Sequence, residues 1–249
     1  MVAHFPLRLE SSYMLAPAVR HMAFARADGQ PFAFVPGQFV QIHFSYDDGK
    51  PTKRSYSVAT IGAGGGDPVE QVEIAVSYVD GGAATALLGG LAHGESVDAS
   101  GPYGRFCLMD ADTNARYLLV ATGTGVTPYR AMLPGLARVI GARGCEVALI
   151  QGARNETELL YGEEFEAFAR STPGFSYHPC FSRAMRASPR PNDRGGRVHV
   201  ALAALEPDPA RDIAYLCGNP DMVDEAFARL KDAGLSVQHV RREKYVSSR

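Results

Sequence analysis

Arg54-Ser55-Tyr56-Ser57 places a cation, an aromatic ring and small hydroxyls side by side near the end of an extended, β-rich segment. On a strand, alternate side chains share a face, so Arg54 and Tyr56 would lie on one side, and a local bulge could bring Ser57 beside the ring. An arginine suits a phosphate, an aromatic face suits a flat ring, and a hydroxyl suits the polar edge of that ring. A flavin nucleotide has all three parts. An ordinary half-buried strand is the competing interpretation.

Two further stretches have the composition of nucleotide-binding turns. Gly123-Thr124-Gly125-Val126-Thr127-Pro128 follows one apolar run, and Cys217-Gly218-Asn219-Pro220 follows another. Glycine lets the backbone approach a pyrophosphate closely, and a helix start offers N–H groups to an anion. The first turn is not a full GxGxxG, because Pro128 stands at the third glycine, where the first turn of a helix tolerates proline.

In that order, the three stretches resemble those of the ferredoxin–NADP reductase family, over about Arg20 to Tyr245. The resemblance implies FAD and NADP(H) as cofactors and places Ser57, Cys217, Glu243 and Tyr245 at the reacting groups. It implies that the cofactors are bound by Arg54, Ser55, Tyr56, Ser57, Val76, Gly81, Gly82, Thr85, Gly123, Thr124, Gly125, Thr127, Pro128, Arg154, Ser182, Arg183, Cys217, Gly218, Asn219, Met222 and Tyr245.

For the flavin, the resemblance assigns Arg54 to the phosphate, Tyr56 to one face of the isoalloxazine and Ser57 to its redox-active edge. Backbone N–H groups at Gly81, Gly82 and Thr85 would hold the pyrophosphate, as expected of glycines before a helix start. The chain departs from the family just before these glycines, where Val79-Asp80 stands in place of a frequent basic residue.

For the coenzyme, the resemblance assigns the 2′-phosphate of NADP to Arg154, Ser182 and Arg183, which follow predicted strands. Guanidinium groups beside a hydroxyl suit a phosphate dianion, so we expect NADP to be preferred over NAD. Cys217 would position the nicotinamide ring, while a small buried packing residue is the other interpretation. Arg186, Arg190 and Arg194 add positive charge to the loop that follows.

At the C-terminus, Glu243 and Tyr245 match the family's acidic residue and the aromatic residue that covers the other face of the flavin. The chain runs four residues beyond Tyr245, as in some bacterial members. These residues would contact the adenine of FAD or gate the nicotinamide, and an exposed charged tail is the alternative.

The period of the hydrophobic pattern changes along the chain, and with it the predicted secondary structure that carries these residues. Short alternating runs with Gly, Pro and Asp turns up to Gly104 predict an antiparallel Greek-key β-barrel. After the polar segment Asp110–Asn114, apolar runs alternate with helical patterns and predict a doubly wound parallel α/β sheet. We predict strands at Tyr117–Ala121, Glu146–Gln151, Phe175–Phe181, Ile213–Cys217 and Val237–Arg241, and helices at Thr127–Ile140, Gly162–Arg170, Val198–Leu205 and Pro220–Ala233. The predicted domains are 1–112 for FAD and 113–249 for NADP(H), with the tail returning to the flavin.

The composition sets limits on other classes of function. The 249 residues carry a net charge of −2, with 46% hydrophobic and 21% charged residues, which argues against a nucleic-acid binder. The four scattered cysteines form no CxxC or CxxxxC pair, so we expect reduced thiols, no metal and no iron–sulfur domain. No long apolar run stands out, so we expect a cytoplasmic monomer without a membrane anchor.

The sequence therefore predicts a flavoprotein reductase. It would move a hydride from NADPH to FAD and then single electrons to an acidic ferredoxin or flavodoxin, reversibly in principle. Lys53, Arg241, Arg242 and Lys244 would form part of a basic docking rim. The alternatives are an NAD(P)H:flavin reductase, the reductase component of an oxygenase, and a non-catalytic electron-transfer or regulatory flavin-binding subunit.

Overall fold

The computed structural model of this chain describes residues 4–62 and 66–246. The chain forms two compact units. The first extends to Cys107 and also includes Thr127–Pro134, and the second comprises Leu108–Val126 and Gly135–Val246. The domain limits of 1–112 and 113–249 stay a prediction. No helix within residues 4–62 and 66–246 combines the length and the apolar character needed to cross a membrane.

The first unit is a six-stranded antiparallel barrel, as predicted. Its strands are β1 (His4–Ala16), β2 (Val19–Arg26), β3 (Phe39–Ser45), β4 (Pro51–Ser57), β5 (Val72–Ser77) and β6 (Ser96–Tyr103). In the sheet, neighbouring strands lie in the order β4-β3-β6-β1-β2-β5. An antiparallel bridge between Val58 and Ile74 joins the two outer strands and closes the sheet. A short helix, α1 (Ala83–Gly90), lies between β5 and β6.

The longest strand of the barrel is β1, which the sequence analysis did not predict. Phe5, Leu7 and Leu9 alternate with exposed residues and are 3%, 0% and 2% exposed in the core. In the second half of β1 only Ala16 is buried, so the alternation fades along the strand. Strand length here is set by pairing with β2 and β6 rather than by hydrophobic pattern.

The second unit contains the predicted doubly wound parallel sheet. Its strands are β7 (Arg116–Thr122), β8 (Glu146–Ala153), β9 (Phe175–Phe181), β10 (Arg194–Gly195), β11 (Asp212–Gly218) and β12 (Val240–Lys244), in the order β10-β9-β8-β7-β11-β12. The connecting helices are α2 (Thr127–Arg143), α3 (Gly162–Ser171), α4 (Val198–Ala204) and α5 (Pro220–Asp232). Pro128 lies in the first turn of α2, as expected.

The strand order reverses between β7 and β11. From β7 the chain builds β8 and β9 on one side, then returns to build β11 and β12 on the other. Ala121 and Cys217 are paired near the carboxyl ends of these two strands. Ligands of doubly wound sheets bind outside the carboxyl ends of the strands at such a reversal. We call this edge the switch point.

The last strand lies three residues later than predicted. Val237–His239 forms a 3₁₀ turn and β12 begins at Val240. The apolar Val237 suggested a strand start, but its side chain is 54% exposed. The shift has a functional consequence, because it places Glu243 inside β12 and directly opposite Cys217 of β11.

Candidate functional site

In the barrel, Arg54 is held on β4 by side chains of its own hairpin. Its Nη2 donates to the hydroxyl of Tyr46 at 2.9 Å, and its Nη1 donates to Thr52 Oγ1 at 3.2 Å. The guanidinium carbon also lies 5.8 Å from the ring centre of Phe44. The side chain is half-buried, so these contacts orient the cation before any ligand arrives. A guanidinium fixed in this way suits a phosphate group.

The neighbours of Arg54 follow the alternation of the strand only in part. Tyr56 is half-buried, and burial raises the pKa of its phenol to about 12, so the ring stays neutral. Ser55 is exposed, whereas Ser57 is buried at 5% exposure. Val76, also expected at the flavin, has its side chain in the barrel core at 1% exposure. It therefore has only its backbone to offer a ligand.

The start of α1 has the backbone geometry expected for an anion. Gly81 has a φ of +72°, and an added Cβ there would meet no other atom within 4 Å. Gly82 is the N-cap of α1 and supplies no side-chain cap, and the first turn holds no acidic residue. Thr85 Oγ1 accepts a hydrogen bond from the Val79 amide at 2.9 Å and so fixes the loop. This glycine cradle, with Arg54 and Tyr56, fits a flavin nucleotide.

In the second unit, the glycines of the first turn have two different roles. Gly123 has a φ of +54°, and an added Cβ would meet no other atom within 4 Å, so its backbone is open to a ligand. At Gly125, in contrast, a Cβ would lie 2.3 Å from the carbonyl oxygen of Cys217. At Gly218 it would lie 2.5 Å from the carbonyl oxygen of Thr122. These two glycines allow the ends of β7 and β11 to approach each other.

Thr127 begins α2 directly after that turn. It is 2% exposed, and its Oγ1 has no hydrogen-bond partner among residues 4–62 and 66–246. A buried hydroxyl without a partner is costly, because its lost hydration is not replaced. The half-buried Thr124 and the buried Pro128 complete this segment. A phosphate oxygen would satisfy the hydroxyl, so the turn fits a dinucleotide.

A cavity of about 420 Å³ opens at the switch point. Its wall brings together predicted residues from four separate segments, namely Gly123, Arg154, Ser182, Asn219 and Met222. The wall also contains Glu158, Arg197, His199, Asp221 and Glu225, which the sequence analysis did not identify. Arg183 is exposed and does not line it. We call this space the switch-point cavity.

Charges in the switch-point cavity are partly paired. Arg154 Nε lies 2.5 Å from Glu158 Oε2, and this bond raises the pKa of Arg154 above its ordinary value. His199 Nδ1 lies 3.2 Å from Glu225 Oε1. Within the part of the chain that is described, the side chain of Arg197 makes no hydrogen bond or ion pair, although its charge acts on Glu225 in the same wall. Its guanidinium is therefore available to an anion.

Asn219 shapes the opposite wall of the cavity. Its Oδ1 accepts hydrogen bonds from the amides of Asp221 at 2.9 Å and Met222 at 3.2 Å, which caps α5. The main-chain N–H of Asn219 donates to Thr122 Oγ1 at 3.1 Å. The turn after β11 is thus tied to the end of β7, and the two sides of the switch point are held together.

Two of the three loop arginines that follow Ser182 are paired with carboxylates. Arg186 is buried and pairs with Glu166 at 2.8 Å and Asp193 at 3.3 Å. Arg190 pairs with Glu166, and Arg194 donates to main-chain carbonyl groups. Carboxylates therefore offset the expected positive charge at Arg186 and Arg190, whereas Arg194 keeps its charge, which acts on the Cys180 thiol in the cavity wall.

The C-terminal segment brings Cys217, Glu243 and Tyr245 together. Glu243 pairs with Cys217 across β11 and β12, and the amide of Tyr245 donates to the Gly218 carbonyl at 2.8 Å. Glu243 is half-buried, and burial raises the pKa of its carboxyl group to about 7. This carboxyl group can therefore exchange a proton near neutral pH.

The three buried thiols are not nucleophiles in this arrangement, because burial raises the pKa of each. All four cysteines are free, and Cys145, Cys180 and Cys217 are buried. Burial raises the pKa of the Cys217 thiol well above its ordinary value, Glu243 adds to that, and a bond to Tyr245 opposes it. Burial likewise raises the pKa of Cys180 to about 12. Cys217 is therefore a neutral group that packs and positions.

Most cations of the expected docking rim are engaged within the second unit. Arg241 lies 2.6 Å from Asp112, and Lys244 lies 2.7 Å from Asp224. The Arg242 guanidinium carbon lies 3.8 Å from the ring centre of Phe227. Lys53 has an exposed side chain.

Comparisons with known proteins match both units. A family described as "Oxidoreductase FAD-binding domain" matches residues 6–107, and one described as "Oxidoreductase NAD-binding domain" matches residues 119–227. The chain is 37% identical to ferredoxin–NADP reductase B of Sorangium cellulosum over 250 residues, which cover 97% of each protein. It is 34% identical to an aromatic O-demethylase reductase subunit of Amycolatopsis, over 87% of this chain but only 62% of that protein.

A solved structure shares the whole fold. The chain superposes on a ferredoxin NADP⁺ reductase from Neisseria gonorrhoeae, which has FAD and NADP bound, with a TM-score of 0.81. The match covers 97% of this chain and 98% of that one at 20% sequence identity.

Proposed function

Because this chain belongs to the ferredoxin–NADP reductase family, we propose that it is a FAD-dependent reductase that exchanges electrons between NADPH and a ferredoxin or flavodoxin. The observation that carries this proposal is the switch-point cavity, which presents Arg154, Ser182 and Arg197 at the edge where doubly wound sheets bind nucleotides. FAD and NADP(H) are its cofactors.

FAD, when bound, supplies the change from two-electron hydride transfer to single-electron transfer. The protein's part in the barrel is to bind and orient. Arg54 binds a phosphate, the neutral ring of Tyr56 covers one face of the flavin, and Ser57 lies at its edge. Gly81 and Gly82 present the open start of α1 to the pyrophosphate.

In the second unit, the chain's residues bind the coenzyme by backbone and by charge. The open backbone of Gly123 would bind the pyrophosphate. Arg154, Ser182 and Arg197 receive the 2′-phosphate, and Arg183 contributes from outside the cavity wall. Three hydrogen-bonding groups of this kind suit a dianion, which supports NADP over NAD.

Cys217, Glu243 and Tyr245 act at the reacting end of the coenzyme. Cys217 packs as a neutral thiol, and Glu243 holds or releases a proton at its carboxyl group near neutral pH. The ring of Tyr245 would cover the flavin when it is bound and would have to move for the nicotinamide, so the tail would act as a gate. The last residues of the tail, 247–249, lie outside the described residues.

The electron carrier is an acidic one-electron protein, and the reductase acts as a cytoplasmic monomer. With Arg241, Arg242 and Lys244 engaged within the chain, Lys53 is the member of the proposed rim with an uncommitted charge. The reductase component of an oxygenase is the second candidate, because the Amycolatopsis relative is the reductase subunit of an O-demethylase.

Anaerobic mixing with NADPH tests the proposal. We expect the FAD-loaded protein to lose its flavin absorbance and then to reduce cytochrome c faster when ferredoxin or flavodoxin is added. A protein that keeps its flavin colour with NADPH is a non-catalytic binding subunit. Loss of FAD during gel filtration would instead favour a flavin reductase. Rapid cytochrome c reduction that neither carrier accelerates would favour the oxygenase component.

A further inference from the structure

We propose that Glu158 limits how strongly this protein prefers NADPH over NADH, because it is the counter-charge of Arg154 in the switch-point cavity. In this role it lowers the affinity for NADPH relative to NADH. The inference rests on the proposed function, since it takes the cavity to be the site of the coenzyme's adenosine end.

Glu158 is held at the cavity by a short turn. It closes the 3₁₀ turn Glu156–Glu158, which begins three residues after β8 ends. Its amide donates to the Asn155 carbonyl at 3.3 Å, and the Thr157 hydroxyl donates to Asn155 Oδ1 at 2.8 Å. Both Glu158 and Arg154 line the cavity wall. The carboxylate is the less exposed partner, with 26% of its side chain accessible against 54% for Arg154.

Glu158 differs from Glu225, another carboxylate of the cavity, in its partners. Glu225 is bonded to Arg229 at 3.1 Å as well as to His199 at 3.2 Å, and the Arg229 bond lies along α5. Glu158, in contrast, makes its only ion pair within the described residues with Arg154. The negative charge of Glu158 therefore acts on Arg154, the same cation that an incoming phosphate would contact.

A 2′-phosphate must compete with this carboxylate. The Nε of Arg154 is already donated to Glu158, so a phosphate dianion must displace that bond or share the guanidinium with a like charge nearby. NADH carries a 2′-hydroxyl instead, and a hydroxyl can donate to a carboxylate that stays paired with Arg154. Glu158 thus weakens the binding of NADPH and is compatible with the binding of NADH.

The role is separable from stability. An ion pair four residues apart with one partner more than half exposed contributes little to folding. Glu158→Gln keeps the size and hydrogen-bonding capacity of the side chain while removing its charge. We therefore expect the variant to fold and melt like the wild type and to differ in coenzyme choice.

The test uses the full-length, FAD-loaded protein and two probes, adenosine 2′,5′-bisphosphate and adenosine 5′-monophosphate. Calorimetric titration of Glu158→Gln should show about tenfold tighter binding of the bisphosphate at low salt, with unchanged or weaker binding of the monophosphate. The gain should shrink as salt screens the exposed charges. The ratio of kcat/KM for NADPH over NADH should rise in parallel.

Two further variants separate the possible failures. Glu163→Gln, which removes a carboxylate that is 87% exposed and outside the cavity, should leave both affinities unchanged. Arg154→Gln should lower bisphosphate affinity only. If Arg154→Gln does so while Glu158→Gln leaves the ratio unaltered, the role of Glu158 is wrong and the proposed coenzyme site stands. If the wild type binds both probes equally and Arg154→Gln alters neither, the cavity is not the coenzyme site.

Discussion

The barrel and the parallel sheet present their binding groups in different ways. On β4, Arg54 and Tyr56 offer side chains from a regular strand, and the contacts that hold Arg54 come from side chains of the same hairpin. At the switch point, the groups open to a ligand belong to the backbone of the turns. Gly125 and Gly218 are needed there because the ends of β7 and β11 leave no room for a Cβ. A site of the first kind can lose its ligand while the fold survives. A site of the second kind shares its residues with the packing of the sheet.

The difference should be greatest at Gly125. A methyl group there would lie 2.3 Å from the Cys217 carbonyl oxygen, so Gly125→Ala must separate β7 from β11. We expect the free energy of unfolding to fall by about 1–3 kcal/mol and kcat/KM for NADPH to fall by roughly 100-fold, both measured on FAD-loaded protein.

Gly141→Ala is the matched control, since a Cβ at that position in α2 would meet no atom within 4 Å. It should stabilise the protein by about 0.5–1 kcal/mol. Equal melting temperatures and equal NADPH kinetics for the two variants would show that the turn adapts, and the contrast between the two sites would then fail.

A smaller effect without loss of fold is expected at Arg54. Arg54→Ala removes a charge-assisted phosphate contact worth about 1.5–3 kcal/mol, so FAD should dissociate roughly 10- to 100-fold more readily. The apoprotein should keep its circular dichroism spectrum. Lys53→Ala, which removes the exposed cation next to it, should bind FAD like the wild type. Full flavin occupancy in purified Arg54→Ala would reject the assignment of this arginine.

Side chains at the edge of the sheet should behave like those of the barrel. Arg197→Ala removes an uncommitted guanidinium from the cavity wall and should raise the KM for NADPH about tenfold, with little change for NADH. Arg183→Ala should act in the same direction but more weakly, because Arg183 lies off the wall. Steady-state kinetics with both coenzymes would decide the order, and a larger effect at Arg183 would contradict the cavity geometry.

The smallest effect concerns protonation at Glu243. Burial raises its pKa from the ordinary 4.5 to about 7, so the folded protein retains a proton that the unfolded chain has lost across that interval. Stability should therefore decrease as pH rises from about 4.5 to 7, and this slope should flatten in Glu243→Gln. Turnover with the carrier should fall a few-fold and lose a pH step near 7. Identical pH profiles for both proteins would exclude a titrating Glu243.

Much of the fold was predictable because its signals are local. The change from alternating to helical periodicity near Asp112 separates two fold types, and α3 was placed to within one residue of its end. Arg154, Ser182 and Asn219 could be placed at the sheet edge because each follows an apolar strand. Such patterns identify where a strand ends, and parallel topology then gathers those ends.

Arg197 was missed because the strand before it, β10, has only two residues and no apolar run. The position of β10 in the sheet is fixed by its pairing with β9, and the composition of two residues does not reveal that pairing. The Gly195-Gly196 turn before Arg197 was the available signal. The neutralisation of Arg186 by Glu166 and Asp193 was hidden for the same reason, since ion pairs between distant residues depend on tertiary packing.

The buried thiols give the parallel sheet two internal reporters. Cys180 lies in β9 and Cys217 in β11, on opposite sides of β7 and β8. Both are inaccessible and protonated in the closed sheet, so a maleimide can react only when the strand that carries the thiol opens. Labelling rates at the two positions, read by peptide mass spectrometry, would measure the opening free energy of each half of the sheet separately. Coenzyme that binds across the switch point should slow both reactions, and by different factors if the halves open independently.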